Sequence, residues 1–157
     1  KNIPAIDIVK NYEEFNSASS IFNVYKRLTT EPKPMEVELS TPQIGIGLGL
    51  EEYEIYSRFC DKEEFQPILN SMMVFPALVY VFEELKQENG IENYAGTNWY
   101  ISLSKAYEKR GVDLENELLY SDKTSVQLAQ EAMELPLNAA LRKFADLFET
   151  GEEEEDV

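Results

Sequence analysis

Met35, Val37 and Leu39 alternate with Glu36, Glu38 and Ser40, the two-residue period of a strand with one face buried. After the turn residues Thr41, Pro42 and Gln43, the alternation resumes with Ile44, Ile46 and Leu48 set against Gly45, Gly47 and Gly49. The two runs predict an antiparallel hairpin whose second strand has one aliphatic face and one face without side chains. Glycine at alternate positions weakens a strand, so a helix or neighbouring strand is expected close against the bare face; the functional alternative is a ligand or partner strand approaching the backbone there. Upstream, Ile3 to Val9 suits a short strand. Tyr12, Phe15, Phe22, Tyr25 and Leu28 fall near helical spacing and predict a helix over Tyr12–Leu28, ended by the Thr29 to Pro34 segment with Pro32 and Pro34.

Beyond the hairpin the period changes. Glu51 to Phe59 fits a strand through Tyr53, Ile55, Ser57 and Phe59, or a helix through Tyr53, Tyr56 and Cys60, and the helix is the reading adopted. Asp61-Lys62-Glu63-Glu64 has the form of a helix start, with Asp61 as cap and acids in the first turn. That helix should run to about Gln87. Its middle, Ile68 to Phe82, is apolar almost all round, the mark of a helix enclosed by others, and Pro76 predicts a kink or break between Met72 and Pro76. With Asn70, Ser71 and Pro76 inside it, the apolar stretch is too short for a membrane span.

Asn89-Gly90 ends the central helix, and Thr97 caps the next one, with Trp99, Leu103, Ala106 and Tyr107 on one face, Lys109 and Arg110 in its last turn and Gly111 beyond. Asp113 opens a short helical turn through Leu119. Thr124 or Ser125 caps Val126–Leu135, and Pro136 opens a final helix carrying Leu137, Ala140, Leu141, Phe144, Leu147 and Phe148. No repeat at a fixed period is visible. The expected fold is α+β and predominantly helical, a small antiparallel β-hairpin packed with about five helices around a central buried helix. It would form a single globular domain over residues 1–150, followed by a disordered acidic tail over residues 151–157.

The chain has 157 residues, of which 43% are hydrophobic and 28% charged, enough for one self-sufficient core. Charge narrows the function classes more than size does. Fourteen basic against 30 acidic residues give −16, and removing the five acids Glu152, Glu153, Glu154, Glu155 and Asp156 still leaves −11. Direct nucleic-acid binding needs clustered cations to neutralise phosphates, so it is disfavoured and basic protein partners are favoured. The plainer alternative is that the charge only keeps the chain soluble.

No histidine is present and Cys60 is the single cysteine, which excludes Ser-His-Asp and Cys-His catalysis, zinc fingers and iron–sulfur sites within this chain. An enzyme would have to use carboxylate, Lys, Tyr, Ser or Cys chemistry, with any metal held by oxygen. The glycine run is not a phosphate loop: no Lys-Ser/Thr follows, and Glu51 and Glu52 would repel a phosphate. The carboxylate groups Glu51/Glu52/Glu54, Glu83/Glu84/Glu88 and Asp113/Glu115/Glu117 match no metal-binding motif, so no metal, cofactor or catalytic residue is assigned. A partner-binding surface is assigned to Glu51, Glu52 and Glu54, to the acidic tail, and to Trp99 and Tyr100. Neighbours on a helix cannot both face one core line, so one of those two aromatics should be free for a partner.

Three functions fit these residues. The first is a cytoplasmic, soluble, non-catalytic interaction or assembly protein that uses its acidic surface against basic partners and touches neither nucleic acid nor membrane directly. The second is an inhibitor whose acids imitate a nucleic-acid backbone, and the third is an oxygen-ligated metal-dependent enzyme. The pattern sets no oligomeric state.

Overall fold

The computed structural model describes the backbone of residues 21–155 and the side chains of residues 21–149. The expected strand at Ile3–Val9 and the beginning of the helix expected from Tyr12 lie outside these residues. The architecture is α+β and predominantly helical. Among the described residues three strands, β1 (Phe22–Lys26), β2 (Glu36–Glu38) and β3 (Ile44–Leu48), form one sheet in the order β1-β3-β2. The hairpin expectation holds: β2 runs antiparallel to β3, with Glu36 opposite Gly47, Val37 opposite Ile46 and Glu38 opposite Gly45.

The helix expected to reach Leu28 is corrected by β1, which pairs parallel to β3 with Phe22 opposite Ile44, Val24 opposite Ile46 and Tyr25 opposite Gly47. Phe22-Asn23-Val24-Tyr25 is a two-residue alternation of aromatic and β-branched residues, which suits a pleated surface better than a helix. Phe22 and Val24 are buried, whereas Leu28, the last residue of that helical spacing, is 88% exposed. The Arg27 amide donates to the Leu48 carbonyl at 2.7 Å, continuing the ladder, and its guanidinium donates to the Pro34 carbonyl at 2.7 Å, which fastens the loop carrying Pro32 and Pro34.

Eight helices follow among the described residues: α1 (Leu50–Phe59), α2 (Gln66–Leu69), α3 (Phe75–Lys86), α4 (Gly90–Tyr94), α5 (Asn98–Glu108), α6 (Leu114–Tyr120), α7 (Ser125–Ala132) and α8 (Pro136–Glu155). Asp61 does not cap: a 3₁₀ turn at Glu63–Phe65 begins after Lys62, and no side chain caps it. In place of the kink or break expected between Met72 and Pro76 there is a π turn at Asn70–Val74 between α2 and α3, the wide turn that lets a proline enter a helix without losing the rod. The helical rod from Glu63 to Lys86 is therefore continuous over 24 residues, long and apolar enough by length and composition to cross a membrane. Its second half is the core helix of the body. Ala77, Leu78, Val81, Phe82 and Leu85 are fully enclosed. Its first half is not enclosed as expected: Ile68 and Leu69 are half-buried and Met72 is 66% exposed.

Helices α5 and α7 start where their threonine caps predict, whereas α4, which follows Asn89 directly, is an element the sequence reading did not include. The Thr97 side chain accepts from the Tyr100 amide, and Thr124 with Gln127 forms a reciprocal capping box on α7. Trp99 ties α5 to the sheet twice, its amide donating to the Pro42 carbonyl at 2.9 Å and its indole Nε1 to the Leu39 carbonyl at 2.8 Å. Across α3 and α7, Ser125 Oγ donates to the Glu83 carboxylate and Lys86 Nζ donates to the Lys123 carbonyl at 2.7 Å.

The last helix begins at Pro136, as the sequence reading has it. It packs on α2 and the π turn, with Pro136 buried and Ala140 and Lys143 half-buried. Leu137, Leu141, Phe144, Leu147 and Phe148 are all exposed. Its backbone also continues helically through Gly151 to Glu155 where a disordered tail was expected.

Candidate functional site

The acidic candidates come from separate elements. Glu51, Glu52 and Glu54 stand exposed on the first turns of α1, where the helix dipole favours negative charge. Their position follows from the chain path: β3 ends at Leu48, and Gly49 lets the chain turn directly into α1 with extended backbone at its N-cap. Glu52 leans back over Gly49, so that a side chain added there would meet its carboxylate at 2.6 Å.

The bare face of β3 is filled from within the fold. Tyr25, one strand away on β1, lies over both Gly45 and Gly47: a Cβ at Gly45 would be 2.9 Å from Tyr25 Cε1, and one at Gly47 would be 2.7 Å from Tyr25 Cζ. The Tyr25 hydroxyl donates to the Glu36 carboxylate on β2 at 2.9 Å, so the ring bridges β1 and β2 across the glycines of β3. Burial first, and then the hydrogen bond and charge of Glu36, push the Tyr25 hydroxyl up from 10.0 to about 12. The neighbouring-strand explanation of the glycines is the observed one, and no backbone of β3 is left open on that face at these two positions.

One carboxylate in each of the two other groups has a structural role. Glu83 accepts from Ser125, and Glu117 shares Lys123 with Glu131 at 3.2 and 2.9 Å. The pair of carboxylates holds the Lys123 ammonium above its ordinary value, the Glu131 hydrogen bond being the larger influence. Asp113 stands at the start of α6 with no side-chain capping bond. Among the described residues no three acid or cysteine side chains gather closely enough to hold a metal ion. Cys60 is buried, with its thiol directed to the Ser57 carbonyl.

Trp99, assigned above to a partner surface, is a core residue at 1% exposure, and Tyr100 is half-buried against its ring. Burial raises the Tyr100 hydroxyl, an effect partly offset by its hydrogen bond with Ser104. Of the two, Tyr100 alone keeps part of its surface open. A crevice of ≈ 580 Å³ lies between the start of the central rod and α8, lined by Lys62, Glu63, Glu64, Pro67 and Lys143. Its lining balances two ammonium groups with two carboxylates and converges on no single reacting point.

Sequence reasoning missed the exposed side of α8. Its signal is the four-three-four spacing of Leu137, Leu141, Phe144 and Phe148, which sets a helix but does not say whether a neighbour covers it. No family model matches the chain, and no curated protein or solved structure matches it either.

Proposed function

We propose that this chain is a non-catalytic interaction or assembly protein whose acidic folded surface engages basic protein partners. The observation that carries the reading is the charge of the chain: −16 overall becomes −11 when Glu152 to Asp156 are removed, so most of the excess lies before the acidic end. Exposed carboxylates on the first turns of α1 (Glu51, Glu52 and Glu54) supply anionic charge on a rigid element, which favours association with cationic surfaces and speeds encounter.

Calorimetric titration with a lysine-rich polypeptide at increasing salt tests this reading. Exposed charges lose their mutual attraction as the Debye length falls from about 10 Å at 0.1 M to about 3 Å at 1 M, so affinity should drop steeply over that range. A duplex DNA fragment titrated in parallel should give no heat of binding. Affinity that is indifferent to salt would mean an apolar interface and a charge that only solubilises.

A further inference from the structure

Helix α8 has two distinct faces. Pro136, Ala140 and Lys143 turn toward the body, and Leu137, Leu141, Phe144 and Phe148 turn outward, with Leu147 beside them. The outward residues are spaced four, three and four apart, the spacing that keeps apolar side chains in one narrow seam facing a partner helix. The seam is flanked on one side by Asn138 and half-buried Ala145 and on the other by Leu147 and by Ala140, which borders the body; none of the four is charged. Arg142, Lys143, Asp146 and Glu149 all lie outside the seam and its flanks. In a chain with 28% charged residues, a seam and two flanks free of charge over positions 137–148 form the part of α8 on which like-charged copies meet with least repulsion.

We propose that this seam pairs antiparallel with the same seam of a second copy of the chain, giving a two-fold symmetric dimer. A partner selected by positive charge would need acids flanking the apolar row, and those flanks are neutral, whereas a second copy presents a matching neutral row. Orientation follows from the ends of the helix. Parallel pairing would set Glu149 and the acidic run at 152–155 beside their own copies. Antiparallel pairing separates the two acidic ends and sets Glu149 beside the opposite α8 N-terminus at Pro136, where the helix dipole favours negative charge. Phe148 then meets Leu137 of the second copy, and the symmetry axis passes between Leu141 and Phe144.

This surface is separate from the acidic patch of the proposed function, and salt distinguishes them. Screening weakens attraction to a basic partner but relieves repulsion between two chains of −16, so the dimer should strengthen as salt rises. Analytical ultracentrifugation of the full chain should show a mass rising with concentration from 18.1 kDa toward twice that value, more readily at high salt. Leu141→Asp and Phe144→Glu should each hold the chain at the monomer mass with an unchanged circular-dichroism spectrum, because both side chains are exposed in the single chain. For orientation, nitroxide labels on Glu149→Cys should lie roughly 20 Å apart in the antiparallel pair, against roughly 10 Å in a parallel one, at 1.5 Å of rise per residue; the native Cys60 is buried and should stay unlabelled. A mass fixed at 18.1 kDa at every concentration and salt would overturn the proposal, as would a dimer that survives both substitutions or a short label distance.

Discussion

At Gly47 the sheet has room for hydrogen only, because a methyl group there would stand 2.7 Å from the Tyr25 ring and hydroxyl. Gly47→Ala should therefore displace the ring, break its bond to Glu36 and cost on the order of 1–3 kcal/mol. Tyr25→Ala should cost stability too, but combining the two should cost less than their sum, since the second change removes the clash created by the first. Thermal melts of the four chains in this cycle measure the coupling, and simple additivity would show that the ring does not hold the glycine face. The same tyrosine predicts an alkaline limit. Its folded value of about 12 lies above 10.0, so its protonated form favours the folded state. That contribution is fully present below pH 10.0, declines as pH rises above it and is lost by about 12. Base titration followed at the tyrosinate absorbance should show a late-ionising group that disappears in Tyr25→Phe, together with part of the alkaline loss of stability.

Individual elements show where a single sequence suffices and where it does not. Caps and turns are local chemistry, so Thr97, Thr124, Asn89 and Gly111 mark boundaries that the structure keeps: both threonines accept their capping bonds, and Asn89 and Gly111 take left-handed conformations. The hairpin was legible because both its strands keep the two-residue period over the whole run. Strand β1 was not, because Phe22, Tyr25 and Leu28 are also three apart and only pairing with the distant β3 decides between the periods. The partner of the glycine face was hidden by the same error, as Tyr25 had been assigned to a helix. Apolar composition misled in a different way: it marks a segment as fit for burial without saying which neighbour is present to bury it. The central rod makes this measurable. Leu78→Ala, at a fully enclosed position, should cost about 2–5 kcal/mol. Met72→Ala, at a position 66% exposed on the π turn, should stay within about 0.5 kcal/mol of the parent. Urea denaturation of both variants checks the contrast, and equal losses would mean that the first half of the rod is covered as deeply as the second.

At the scale of the whole molecule, two surfaces of opposite character sit on one body, an acidic one led by α1 and a neutral apolar one on α8. Net charge alone predicts that partner binding scales with the number of acids removed. A patch held on a rigid helix predicts otherwise. Glu51, Glu52 and Glu54 are presented together by α1 at no further cost in ordering, so replacing all three by Gln should weaken binding to a lysine-rich polypeptide more than ending the chain at Gly151 does. The comparison is weighted against this outcome, since the triple replacement leaves −13 and the truncation leaves −11. Both chains should keep the parent melting behaviour, because the replaced side chains are exposed and the truncation removes only the last turn of α8 and the two residues beyond it. Titration of the parent and both variants at one fixed low salt ranks them directly. If the truncated chain binds most weakly, affinity follows total charge or the acidic end itself, and α1 is not the surface that partners read.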